Sequence, residues 1–158
     1  MDDLRFVPLS GIDDAQIIDL MNNPMVVRHL PLRDGEFTAE HCRAFRRAKQ
    51  QLWDRHGFGP RAIRIGGVFA GWGGLQPEHG DADFALVLHP KFWGWGLRIF
   101  TRGREQAFIE MKLESITALL PPGRRNSMAI VRLGFAEEDP VTLDGVRFRR
   151  FRLRNPAC

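Results

Sequence analysis

Ala85-Leu-Val-Leu-His-Pro-Lys-Phe-Trp-Gly-Trp-Gly-Leu97 decides how the rest of the chain is read. An apolar run over 84–88 stops at Pro90, which has no amide to give to a central ladder. Two glycines spaced Gly94-x-Gly96 then precede a segment of helical periodicity from Leu97. The pattern predicts a strand, a tight turn and a helix. The first amides of a helix lack partners within it and sit at the positive end of its dipole, so such a turn is a seat for phosphate. Arg98 falls in the first helical turn, where its charge opposes the dipole unless an anion is bound. Gly-x-Gly also occurs in plain turns, so the neighbouring segments have to decide.

Upstream, runs over 58–65 and 68–75 flank Gly66-Gly67, a pair able to take positive φ, and predict a hairpin. Gly71, Gly73 and Gly74 inside the second run mark a bulge or a place where another backbone or a ligand comes close, with Trp72 between them as core. A polar loop is expected over 76–81, carrying Glu78 and His79, and Asp83 opens the central strand. Downstream, Leu97, Phe100, Ala107, Phe108 and Met111 keep helical spacing. Gly103 among them costs about 1 kcal/mol relative to Ala, which predicts close packing on the sheet.

The second half continues with a strand over 115–120 halted by Pro121-Pro122-Gly123, then a short helix over 126–133 closed by Gly134. Asp144-Gly145 suits a two-residue hairpin turn. In the last strand, 146–153, the apolar phase slips between Phe148 and Phe151, predicting a bulge, while Arg147, Arg149, Arg150 and Arg152 read as edge-strand charges. At the other end, a strand over 4–9 leads through Ser10-Gly-Ile-Asp13 into a helix that Asn22-Asn-Pro24 stops. A short apolar turn or second helix over 25–30, broken by Pro31, is expected to wall one side of a cleft. Thr38 caps a helix to about His56, with His41 where a capping box has Glu. Its apolar face is Cys42, Phe45, Ala48 and Leu52, and Arg43, Arg46, Arg47, Lys49 and Arg55 read as a solvated face.

A chain of 158 residues with 44% hydrophobic content predicts one domain over 1–158 with an ordinary core. The net charge of +4 favours an anionic ligand, either a phosphorylated cofactor or nucleic acid. Cys42 and Cys158 support neither a metal site nor a disulfide framework, which predicts a reducing compartment. No run approaches the length needed to span a bilayer, so the expected location is cytoplasmic, with no membrane partner.

The order of these elements resembles the GNAT superfamily of acyl-CoA N-acyltransferases over nearly the whole chain. Within it, Asn22-Asn-Pro-Met-Val-Val-Arg-His-Leu-Pro31, Val68-Phe-Ala-Gly-Trp-Gly-Gly-Leu75 and Leu88-His-Pro-Lys-Phe-Trp-Gly-Trp-Gly96 resemble the branch that includes ribosomal-protein N-terminal acetyltransferases. The resemblance implies an α+β fold, a central mixed and mostly antiparallel sheet flanked by helices on both faces, and acetyl-CoA as cofactor. Lys91-Phe-Trp-Gly-Trp-Gly96 corresponds to the superfamily's pyrophosphate motif, with Lys91 in the basic position. By resemblance, amides of Phe92, Trp93, Gly94, Trp95, Gly96, Leu97 and Arg98 hold the pyrophosphate of coenzyme A. Leu86, Val87 and Leu88 pair with its pantetheine arm as an added strand. Asn126 bonds that arm, although the family's usual Asn aligns with Gly123, and Arg132 faces the adenosine phosphates.

The reaction so implied is transfer of an acetyl or small acyl group to a primary amine, by direct attack in a ternary complex. Asp83 matches an acidic residue of the family's central strand and is the first candidate base, followed by Glu78 and His79. Many relatives use a Tyr as general acid; Ile130 holds that place, the chain has no Tyr, and Ser127 is the substitute donor. Two further readings stay open: a silent coenzyme A-binding module, motivated by Ile130, and an Arg-rich nucleic-acid binder. The acceptor, for which segments 22–37 and 76–81 are expected to form the pocket, is also open, as is assembly into a homodimer.

Overall fold

The computed structural model describes residues 3–30, 35–124 and 126–158. Seven strands, β1 (Leu4–Val7), β2 (Arg61–Ile65), β3 (Val68–Glu78), β4 (Asp81–Leu88), β5 (Ser115–Leu120), β6 (Ala136–Leu143) and β7 (Val146–Arg154), form one sheet in the order β1-β2-β3-β4-β5-β7-β6. Every pairing is antiparallel except that of β4 with β5. Helices α1 (Asp14–Asn22), α2 (Pro24–Val27) and α3 (Ala39–His56) lie on one face, where Ile17, Leu20, Val26 and Cys42 pack with Ala62, Phe69 and Trp72. Helix α4 (Gly96–Glu105) covers the other face: Ile99 joins Leu4, Ile63 and Leu88, and Phe100 joins Leu75, Ile116 and Phe151. Each such side chain stabilises the fold by about 1.5–3 kcal/mol on full burial. The short helix α5 (Met128–Arg132) follows β5. This is the mixed sheet with helices on both faces that the sequence led us to expect.

Several local expectations hold in atomic detail. Thr38 Oγ1 accepts from the His41 amide while His41 Nδ1 accepts from the Thr38 amide, so histidine completes the capping box. A Cβ at Gly103 would stand 2.7 Å from the Phe84 ring, which confirms close packing there. The glycines of β3 serve both purposes open to them. A Cβ at Gly71 or Gly73 would strike the β4 backbone, 2.0 Å from the Val87 carbonyl oxygen or 2.4 Å from that of Ala85. The register against β2 also shifts between Ile63 and Arg64, leaving Ala70 as the extra residue.

Other expectations are corrected. The polar loop over 76–81 is two strands: β3 runs on to Glu78, β4 begins at Asp81, and His79 and Gly80 alone make the turn, at φ 54° and 85°. The tight turn after β4 is a 3-10 segment, Pro90–Trp95, which Pro90 starts and which passes into α4 through a helical Gly96. The last strand is interior, because β6 forms the edge beyond it. Three of its arginines are paired, Arg149 with Glu137, Arg150 with Glu138, and Arg152 with Glu138 and Asp81. The bulge near Phe148 puts its extra residue on β6, between Glu138 and Val141, where Pro140 has no amide for the ladder. Nor is the basic face of α3 wholly solvated. Arg46 donates to Asp14 and to the Leu9 and Ile12 carbonyls, and Lys49 turns inward. The break expected at Pro31 lies outside the described residues.

Candidate active site

The sheet parts at its centre. Asp83 and Thr117 are the single register pair joining β4 to β5. Beyond it, residues 84–88 of β4 keep their ladder with β3, while residues 118–120 of β5 keep theirs with β7. Between the two lies a cleft of about 930 Å³, with Phe84, Ala85, Leu86 and Val87 on one lip and Ala118, Leu119 and Leu120 on the other. Among the described residues no strand pairs with this lip of β4, so an extended ligand carrying amides can add there as a short strand.

At one end the cleft meets the start of α4, where Gly96 and Leu97 form its wall, and it is flanked by Arg124 and Arg132. Neither motif glycine is demanded by the fold. Gly96 has helical angles, φ −53° and ψ −44°, and a Cβ at Gly94 or Gly96 would find no atom within 4 Å. The room beside them suits an external group that approaches the backbone, and two arginines nearby suit an anionic one. Not every amide of the stretch is available for it. The Phe92 amide donates to the His89 carbonyl at 2.8 Å and the Gly96 amide to that of Trp93, which removes both from the set over 92–98.

The remaining sequence candidates divide by position. Trp93 joins Gly96 and Leu97 in the wall, its Nε1 donating to the Leu88 carbonyl at 2.9 Å. Lys91, Phe92, Gly94, Trp95 and Arg98 stand outside it. Phe92 is core, Lys91 lies over its ring, and the Arg98 guanidinium stacks 4.3 Å from the Trp95 centroid. Leu88 is core, whereas Leu86 and Val87 face the cleft. Asn126 is set back from the wall, its Oδ1 accepting from the Met128 amide at 3.0 Å to start α5. Ser127 is set back as well, with Arg149 Nη2 donating to its hydroxyl at 3.4 Å. Ile130 does line the cleft, in the place expected for Tyr.

At the opposite end stand Asp83 and Glu78, with Gln76 beside Asp83 as its register partner on β3. Asp83 is 3% exposed, and burial pushes its carboxyl up to about 8. The Thr117 hydroxyl, donating at 2.8 Å, opposes that rise, and the charges of Glu78 and Asp81 add to it. His79 holds the turn and does not reach the cleft. Three wall residues escaped the reading of single positions: His29, edge-on to Trp93 with centroids 6.0 Å apart, and Trp72 and Gln76. Behind them Lys49 donates to Gln76 Oε1 at 3.1 Å and lies 4.8 Å from the Trp72 centroid; burial lowers its pKa and Glu78 opposes the shift. The segment over 25–30 does wall the cleft, through His29 and Leu30. No group of three His, Cys, Asp or Glu among the described residues is placed to hold a metal ion, and no described helix is long and apolar enough to cross a membrane.

A family model described as an acetyltransferase (GNAT) domain matches residues 3–136. The chain belongs to this GNAT acetyltransferase family. Acetyl-CoA is the family's acyl donor, and the parted strands, the open glycines and the two cleft arginines fit it. Among solved structures, an acetyltransferase from Agrobacterium tumefaciens superposes with a TM-score of 0.74 at 20% identity, over 96% of this chain and 90% of that one. A GNAT-family acetyltransferase from Bacillus anthracis gives 0.68 at 16% identity over 98% and 99%. The spermidine N-acetyltransferase of Vibrio cholerae, in complex with CoA and spermine, gives 0.67 at 15% identity over 96% and 94%. No curated protein matches the sequence significantly.

Proposed function

We propose that this acetyltransferase acts on nitrogen, acetylating a primary amine by direct attack in a ternary complex, with Asp83 as the proton acceptor. The observation that carries the reading is a buried carboxyl at the point where β4 and β5 part, its pKa raised to about 8 by burial. A primary ammonium has to lose a proton before it attacks, and a base near the working pH is the efficient acceptor. An ammonium entering beside Asp83 draws the carboxyl toward its ionised form, so the same group binds the cation and then takes its proton. Acetyl-CoA supplies the acyl group as a thioester.

The strand edge over 84–88 orients the donor's amide arm, with Leu86 and Val87 in the wall, while Trp93, Gly96, Leu97 and Arg132 flank its phosphates. A thiolate of pKa about 8.5 leaves with little help, which is compatible with Ile130 in place of a phenol and leaves Ser127 no necessary part. Direct transfer is supported by the cysteines. Cys42 is buried against Asp14 in the core under α3, and Cys158 is not in the cleft wall. A ribosomal-protein N-terminus, from the sequence resemblance, and a polyamine, from the Vibrio cholerae neighbour, are acceptors to set beside a small amine.

Thiol release from acetyl-CoA with a panel of amines and peptides tests the reading. Turnover that falls on Asp83→Asn supports it. Tight binding of acetyl-CoA with no turnover on any acceptor would instead favour the silent module.

A further inference from the structure

The charges around Asp83 narrow the acceptor, taking the amine-acetylating reading above as given. Three carboxylates cluster at this end of β3 and β4. Asp81 is taken by Arg152, whose Nη1 and Nη2 donate to it at 2.9 and 3.1 Å. Glu78 acts through space on Lys49, whose ammonium is fixed by Gln76 Oε1 at 3.1 Å and by the Trp72 ring. Asp83 alone of the three is held by a hydroxyl rather than a cation. Of the two carboxylates in the wall, Glu78 already faces the Lys49 charge, and Asp83 is the one with no cation set beside it for an incoming ammonium to meet. Lys49 stands immediately behind the wall made by Trp72 and Gln76, so a second positive charge at this end meets a cation already in place. Most of the other wall residues on the acceptor side are apolar, Met21, Leu30, Leu143 and Phe148, with His29 among them. A polyamine needs further carboxylates along its length, and among the described residues of the wall Glu78 and Asp83 are the only two.

We propose that the acceptor is a monoamine on an apolar body of aromatic size, its ammonium on Asp83 and its ring against the wall that includes Trp72, and that Lys49 excludes diamines and polyamines. The acetylated product carries no charge, so nothing then holds it to Asp83 and it can leave. Lys49 touches neither donor nor acceptor in this account; it stands behind the wall and sets only the charge limit.

The test is thiol release by the full chain at saturating acetyl-CoA with phenethylamine, putrescine, spermidine and a tripeptide bearing a free N-terminus. The expected kcat/KM for phenethylamine exceeds each of the others by about tenfold or more. In Lys49→Met the putrescine value rises and the gap narrows by about fivefold, while phenethylamine is little changed, a split that simple loss of stability does not produce. Spermidine, putrescine or the peptide used as well as phenethylamine by the unaltered protein overturns the proposal, whatever the variant does. Silence with all four acceptors removes the amine-acetylating reading and this one with it. Turnover with the wrong preference removes this one only.

Discussion

Replacing Asp83 by Asn should make the protein more stable at neutral pH and the enzyme slower, with the gain in stability growing as pH rises. The carboxyl is 3% exposed, and its pKa in the folded state is raised from 3.8 to about 8. Between those values the folded protein keeps a proton that the unfolded chain releases, so stability falls with rising pH by about 1.4 kcal/mol per unit. The stability is fully present below the unfolded pKa and lost as pH climbs through the folded one. At pH 7 the accumulated cost is roughly 4 kcal/mol. Asn carries no charge, and its carbonyl can still accept from the Thr117 hydroxyl, but its amide hydrogens need partners, at about 1–3 kcal/mol if unmet. The net expectation is a gain of about 1–3 kcal/mol at pH 7 that turns into a loss of about 1–2 kcal/mol near pH 4, at about 2–4 °C in Tm per kcal/mol for a chain of this size. Thermal melts of both proteins from pH 4 to pH 8 measure it. A Tm difference that stays flat across that range refutes the argument. In the same variant kcat/KM for an amine should fall by about 10²–10⁴-fold, and the rise of the unaltered enzyme's rate toward pH 8 should flatten.

Gly71→Ala should abolish or severely destabilise folding, by more than about 4 kcal/mol, because the new methyl would sit 2.0 Å from the Val87 carbonyl oxygen. Gly94→Ala, with no atom within 4 Å of its Cβ, should leave the unfolding free energy in urea within about 0.5 kcal/mol of the parent yet weaken acetyl-CoA binding in calorimetry. Arg152→Met strips the bidentate partner from Asp81 and a further bond from Glu138, at a side chain only 15% exposed, and should cost about 3–5 kcal/mol in denaturant unfolding. Arg132→Ala should weaken coenzyme A by about three- to tenfold at low salt, a difference that shrinks as salt is added.

What the sequence disclosed was what local chemistry determines. Asp144-Gly145 takes the two positive φ values, 48° and 79°, that its hairpin requires, and Thr38 caps α3. The Pro90 stop and the spaced glycines mark the start of α4 by local chemistry alone. The misreadings came where distant residues decide. Gln76, Pro77 and Glu78 look like loop, yet they are strand because Asp83, Ala82 and Asp81 lie opposite them. Lys49 and Arg46 carry the residue type of a wet helix face, and only the approach of β3 and of the segment after β1 takes them out of water. The arginines of β7 looked like edge protection because nothing local tells that β6 folds back outside it. In the candidate site, the motif stretch leads to the cleft wall, where side-chain direction within a 3-10 segment sorts its members, leaving Trp93 in the cleft and Phe92 in the core. His29 and Gln76 carried no signal of their own in the sequence, since their role comes from who stands across the gap.

One register pair, Asp83 with Thr117, is the whole ladder between the four strands on one side of the molecule and the three on the other. The seam is closed further by side chains, through the Thr117 hydroxyl on Asp83, the Arg152 guanidinium on Asp81 and the packing of Phe84 and Phe100 in the shared core. A guest that lends its own amides to the free rim of β4 therefore finishes a sheet that folding leaves half-stitched, so that loading the donor and consolidating the scaffold become the same event.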